Sequence, residues 1–378
     1  MGFAAQQISE PAGPQVVSAE RLRSAIDHLG DLDYEVRTEA SRLVRRTPPS
    51  QAVPALLQAV GEHADGYVRY RALVLLTGFN DPRTRDAMTE SLGSPNDRLR
   101  TVAYSWFGHH AEPAMAGTLL TALDREQAEF VRPALVRALA AHASSPAVQQ
   151  ALVRDVGRGE DFFRGTVIEA LGEVRAAFAR ETITAVALQD GPLQDDAAIA
   201  LGRIGDQRSL EVLAGLQRTA PRVRQPSIAA AICLLNVNCA SHEPYLVETL
   251  KFGDRNPGFQ ELLRVAAGGL GALGVGGRAS AAAALLDVGI PARDPTRAPV
   301  ALALATIALR NTAVLLPLLE QHPDQAGAMA LLADGFDMLE EDLEKERFFA
   351  LVRRTYWSAA DGSLTKALME NLIRNLDF

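Results

Sequence analysis

Apolar positions in this chain recur at offsets of 0, 3 and 7 residues, the stripe that lines one face of an α-helix, and the stripe itself comes back at a fixed period. An apolar residue followed by arginine stands at Val36-Arg37, Val68-Arg69, Leu99-Arg100, Val131-Arg132 and Phe163-Arg164, in steps of 32, 31, 32 and 32 residues. Two steps of 30 lead to Leu193-Gln194 and Val223-Arg224, then steps of 40 and 33 to Leu263-Arg264 and Thr296-Arg297. Three residues after the arginine comes a small or apolar residue (Ala40, Ala72, Ala103), and seven after it a larger one (Val44, Leu76, Phe107). A small residue often follows at offset 8, as in Gly108, Gly172 and Gly202, which permits close backbone approach. Asp33, Asp65, Asn96, Glu160 and Asp190 precede the pair by three positions, where an acceptor caps a helix or favours its positive end.

A second amphipathic stretch lies in each period, for example 51–60, 82–92, 113–123 and 146–156, several with proline near the start, where its missing N–H costs nothing. Each period is therefore a helical hairpin that cannot bury its apolar face alone, and stacking of hairpins supplies the core. The pattern predicts an all-α fold: an α-solenoid of about nine hairpins over 18–322, a flexible arm over 1–17 and a helical cap over 323–378. In the cap, Leu339 to Tyr356 reads as a long helix, acidic early and basic late, and Leu364 to Leu376 as a second helix after the Asp361-Gly362 turn.

The pattern Asp-x-x-Val-Arg-x-x-Ala-x-x-x-Leu-Gly, nearly intact from Asp65 to Gly78, resembles the HEAT-like repeats typified by phycobilisome lyases. The resemblance covers roughly 18–321 and is specific for architecture, since such repeats occur in lyases, hydroxylases, DNA glycosylases and many scaffolds. It implies that the recurrent arginines Arg37, Arg69, Arg100, Arg132 and Arg164 form an internal ladder with acidic or carbonyl groups of neighbouring repeats. It also implies that the second helix of each hairpin lines a concave side.

On that helix, offsets 1, 5 and 9 from the arginine lie off the buried stripe. They give Arg42, Arg46, Tyr70, Ser105, His109, Arg137, Glu169, Glu173 and Arg203 as candidate partner-binding residues, a mixed stripe of the types found in interface hot spots. The expected function is a non-enzymatic scaffold that holds a protein or peptide partner on its N-terminal concave surface. The alternative is an enzyme or enzyme subunit acting on a bulky substrate, resembling the HEAT-like lyases or DNA glycosylases, with a pocket in the irregular stretch 236–277.

Charge and composition narrow these readings. The formal charge is −8, from 38 basic and 46 acidic groups. Residues 1–150 carry 15 basic and 17 acidic groups, 151–300 carry 16 and 17, and 301–378 carry 7 and 12, so no third is basic, which argues against nucleic acid as a partner. The longest apolar run, Ala298 to Leu309, is too short to span a bilayer and reads as a buried helix. Cys233 and Cys239 read as two small buried residues rather than a disulfide framework or a zinc site. With disulfides read as absent and no export or anchoring signal visible, a reducing, cytoplasmic setting is expected.

No catalytic residues, metal or cofactor are expected. Gly269-Leu270-Gly271-Ala272-Leu273-Gly274 matches a dinucleotide fingerprint but lies inside a repeat helix, where close packing accounts for it. His110 and His142 share the same register in adjacent repeats and read as satisfied or partly exposed side chains, not as a metal pair. HEAT-like hydroxylases that bind paired iron use several His-Glu dipeptides, and here only His242-Glu243 occurs.

Overall fold

The computed structural model describes residues 15–378, and among these every regular element is helical. In chain order the helices are α1 (Ala19–Asp27), α2 (Tyr34–Arg46), α3 (Pro49–Glu62), α4 (Gly66–Thr77), α5 (Thr84–Ser91), α6 (Asp97–His109), α7 (Ala116–Arg125) and α8 (Arg132–Ala141). They continue as α9 (Pro146–Val156), α10 (Asp161–Glu173), α11 (Arg180–Ala187), α12 (Gln194–Ile204), α13 (Leu210–Thr219), α14 (Gln225–Leu234), α15 (Cys239–Arg255) and α16 (Gln260–Val275). The last six are α17 (Ala279–Gly289), α18 (Arg297–Arg310), α19 (Thr312–Gln321), α20 (Gln325–Met338), α21 (Asp342–Ser358) and α22 (Leu364–Asn375).

The chain is an α-solenoid of helical hairpins, each even-numbered helix from α2 to α20 being the second of a pair. The predicted start signals act at three of five sites. Asp33 accepts from the Glu35 and Val36 amides, Asp65 from Tyr67 and Asn96 from Arg98. Glu160 makes no capping bond. Asp190 stands short of α12, because Gly191-Pro192 delays the helix to Gln194, and its carboxylate lies 3.9 Å from Arg224 instead.

Two compact units are present. Unit 1 joins the N-terminal hairpins up to Ala103 with 340–378, and unit 2 runs from Tyr104 to Leu339. In unit 1 the buried stripe includes Val44, Leu56, Val68, Leu73 and Leu76. The stretch before α1 is tied down at its end: the Gln15 amide donates to the Arg46 carbonyl, and Val17 exchanges two hydrogen bonds with the Gln51 side chain. The rest of the predicted arm, 1–14, lies outside the described residues.

In unit 2 the second helices stack directly, α8 on α10, α10 on α12, and so on to α18 on α20. The small residues at offset 8 make this stacking close. A Cβ added to Gly202 would stand 2.6 Å from the Ala231 carbonyl oxygen, and one added to Gly172 would stand 2.9 Å from the Ala200 Cα. The glycines of the 269–274 segment serve the same packing, Gly271 facing Ala303 and Gly274 facing Ile307.

Two features of the C-terminal third differ from expectation. The hairpin series continues past 323, because α20 packs on α18 with Ala328, Leu331, Leu332 and Phe336 buried and Gly335 against the Ala301 backbone. The residues after it, α21 and α22, belong to unit 1, where α21 packs on α4.

Cys233 and Cys239 form a disulfide, a correction to their reading as two unlinked residues. The turn between α14 and α15 places Asn236 and Asn238 in the left-handed region, φ 60° and 49°, and folds the chain back until the two Cα atoms are 4.6 Å apart. The pairing removes the argument from absent disulfides on which the cytoplasmic expectation rested. Among the described residues no single helix is long and apolar enough to cross a membrane, and the α18–α19 pair that reaches that length bends by 117° at its break.

Candidate functional site

The repeat arginines are bound inside the hairpins. The Arg37 guanidinium donates to the Asp31 and Leu32 carbonyls, Arg69 to Val60, Arg100 to Ser94 and Pro95, and Arg164 to Val156. Arg132 lies over the Phe163 ring at 3.7 Å. Arg224 reaches across to the Gly191 carbonyl of the preceding hairpin. Except at Arg132, whose Nε is buried without an acceptor among the described residues, planar forks of donors therefore satisfy carbonyls that helix ends leave unpaired.

The candidate residues on the second helices divide between the units. In unit 1, Arg42 pairs with Asp377, and the Tyr70 hydroxyl donates to Asp342, which also takes Arg71 at 2.8 Å. Beside them Arg45, not singled out by the spacing rule, pairs with Glu346 at 2.7 Å; both side chains are buried, at 6% and 1% exposure, and Arg353 completes the group at 3.2 Å. Arg46 is half-buried nearby, its pKa lowered by burial and by Arg42. Burial alone would raise the Asp342 carboxyl, but Arg71 and the Tyr70 hydrogen bond outweigh it and hold the pKa below the ordinary value. The second-helix face of unit 1 is thus occupied by the acidic side of the chain's own C-terminal helices.

In unit 2 the same face is an open cleft. One chamber, about 440 Å³, is lined by Glu169, Asp195, Asp196, Arg203 and Arg264 among others, and a second, about 860 Å³, by His109, Glu173, Arg175, Arg203, Arg278 and Arg310. Arg203 lines both. Of the predicted stripe, the cleft gathers His109, Glu169, Glu173 and Arg203, with Arg137 paired to Glu169 at 3.2 Å, while Ser105 stays half-buried on α6 outside its lining.

The electrostatics of the two chambers are opposite. Asp196 is pushed up to about 6, first by desolvation and then by Glu169 and Asp195. Its surface is open to water, yet the cleft walls displace much of the solvation a free carboxylate has. Asp195 is raised by burial against the opposing Ser227 hydrogen bond, and its Oδ1 is buried without a partner. Glu173 is raised by desolvation despite Arg310, which stands 4.0 Å away. The Nε atoms of Arg137 and Arg203 are buried without partners.

Asp195 was within reach of the spacing rule, since it occupies offset 1 of the repeat that lost its arginine. Arg278 and Arg310 were not, because they sit at or beyond the last turn of α16 and α18. Both ends of the irregular 236–277 stretch, Asn236 and Gly276 to Arg278, line the larger chamber, and its extra length is a longer hairpin with helices of 17 and 16 residues.

The two histidines in register do not meet as a pair. His142 is buried, accepting from the Glu112 amide at Nε2 and donating from Nδ1 to the Ala138 carbonyl, which fixes its tautomer by its partners. His110 is exposed and stacks on Trp106.

Residues 22–106 match the family model of HEAT repeats. No curated protein matches the sequence significantly. Solved structures with similar helical arrays include Kap95p bound to RanGDP, at 13% identity over 95% of this chain and 55% of that one, with a TM-score of 0.43. Human deoxyhypusine hydroxylase aligns at 19% identity over 58% of this chain and 88% of the other, TM-score 0.30. The CpcE–CpcF complex of phycocyanin lyase from Nostoc aligns at 19% identity over 90% of this chain and 99% of the other, TM-score 0.27. The chain spans about half the length of Kap95p.

Proposed function

We propose that this protein is a non-enzymatic interaction scaffold and that a segment of a partner protein lies along the second-helix face of unit 2. The observation that carries the reading is the contrast in that face: in unit 1 Arg42, Arg45 and Arg71 each meet a carboxylate of the same chain, whereas in unit 2 Arg203 and Asp195 line a cleft, each with a buried polar atom that has no partner among the described residues. Desolvated, incompletely paired groups on a rigid helical surface gain more from an incoming partner than solvated ones do. HEAT solenoids are commonly scaffolds, and an extended face of stacked helices suits a long, shallow contact. The proposal moves the partner site from the N-terminal hairpins, where Arg42 and Tyr70 were expected to serve, to residues from His109 onward.

A bulky residue in the cleft tests this. Gly268 lines the smaller chamber, and a Cβ there would meet nothing within 4 Å, so Gly268→Trp obstructs the cleft without disturbing the core. Partners that co-purify with the tagged full chain are expected to be lost in Gly268→Trp and kept in Tyr70→Phe. An unchanged set in Gly268→Trp would sink the assignment.

A further inference from the structure

Unit 1 displays what the arginines of this face accept. Arg42, Arg45 and Arg71 each receive a carboxylate, from Asp377, Glu346 and Asp342, the last two carried by α21 and the first standing just after α22. Unit 2 presents a comparable set without such a helix. In its larger chamber Arg175 and Arg203 make no ion pair among the described residues, and Arg203 keeps a buried Nε without an acceptor. Beside them Arg310 stands 4.0 Å from Glu173, and Arg278 stands 3.6 Å from Glu243 and donates to the Asn236 side chain. The Arg203 guanidinium is thus short of an acceptor, and a carboxylate supplies two in the geometry its fork requires.

Resting on the scaffold reading above, we propose that the basic chamber of unit 2 receives the carboxylates of an acidic helical segment from the partner protein. Carboxylate is favoured over phosphate because Glu173 stands inside the chamber, where a more highly charged anion is repelled more strongly. The chamber on the other side of Arg203, with Glu169, Asp195 and Asp196, repels further acidic residues, so the acidic run of the segment ends at Arg203. The partner sequence is therefore acidic over about one or two helical turns and neutral or basic beyond them.

The test uses the full chain and a labelled alanine-based helical peptide with glutamates at positions i and i+4, followed by fluorescence anisotropy at low ionic strength. A matched glutamine peptide is the control, and inorganic phosphate is the competitor. The glutamate peptide is expected to bind about 10-fold tighter than the glutamine peptide, and Arg203→Gln to remove that advantage. Arg175→Gln, at an exposed position that carries no packing, is expected to weaken binding several-fold, and Arg42→Gln in unit 1 to leave it unchanged. Equal binding of the two peptides, indifference to both Arg203→Gln and Arg175→Gln, or full displacement by equimolar phosphate overturns the proposal. If the peptide fails while Gly268→Trp still strips the natural partner, the acidic chemistry falls and the scaffold reading stands; if Gly268→Trp also has no effect, both fall.

Discussion

The two units build the same face from the same kind of helix and finish it differently. In unit 1, Arg45 and Arg71 are closed over by an acidic helix of the same chain, with Glu346 at 1% exposure between Arg45 and Arg353. In unit 2, Arg203 lies between two chambers with a donor unsatisfied, and desolvation pushes the Asp196 carboxyl up to about 6. The difference teaches that a row of charges on a repeat surface has no fixed meaning. Where an internal partner matches it, the charges hold the fold together; where none does, they remain available to another molecule.

The largest expected effect tests the closed side. Glu346→Gln leaves Arg45 and Arg353 buried without their shared carboxylate and should destabilise unit 1 by about 3–5 kcal/mol. Denaturant unfolding followed by hydrogen exchange in α2, α4 and α21 measures it, and exchange in unit 2 should be unaltered. A smaller loss is expected in unit 2 from Gly202→Ala, about 1–3 kcal/mol, because the new methyl meets the backbone of Ala231. Protection in α12 and α14 reports it.

Acidification should move the two units in opposite directions. Asp342 has a lowered pKa, so its contribution to unit 1 is present above the ordinary aspartate value of 3.8 and is lost as pH falls through its lower folded value. Asp196 has a raised pKa, so its contribution to unit 2 is full below 3.8 and is lost as pH rises through about 6. Exchange in α10 and α12 should therefore slow, relative to α4 and α21, when pH falls from about 7 to about 4. Asp196→Asn should abolish that gain, and its persistence in the variant would remove Asp196 as the cause. The smallest effect is expected from Arg203→Gln, within about 0.5 kcal/mol on thermal stability, since the side chain makes no ion pair or hydrogen bond among the described residues and acts on Glu173 and Asp196 only at longer range. A much larger drop would make Arg203 a structural arginine like Arg45.

The period of about 32 residues, the helical stripe and the small residues at offset 8 were all legible, because each follows from local spacing that stacking then uses. The end of the array was not. Helix α20 continues the stack through Ala328, Leu331 and Gly335 but lacks the apolar-arginine pair that marked the earlier repeats, and Arg297 reaches across to Asp334 on that helix instead. The return of α21 to Arg45 and Arg71 was hidden for a different reason: a contact some 270 to 300 residues apart leaves no periodic trace. Its acidic first turn was visible and was assigned to the helix dipole, which accounts for the charge but not for where it docks. Within the site, the spacing rule found His109, Glu169, Glu173 and Arg203 yet could not tell them from Arg42 and Tyr70, since the rule sees one helix and the distinction lies in what covers it.

The central claim is that the second-helix face is covered from within in unit 1 and open in unit 2. Photo-crosslinking side chains placed one at a time at positions 70 and 199, beside Asp342 and in the smaller chamber respectively, address it directly in native lysate. The account predicts crosslinks from position 70 to residues of α21 in the same chain, and from position 199 to a second protein. Capture of a partner at position 70 together with no intermolecular product at position 199 would contradict it.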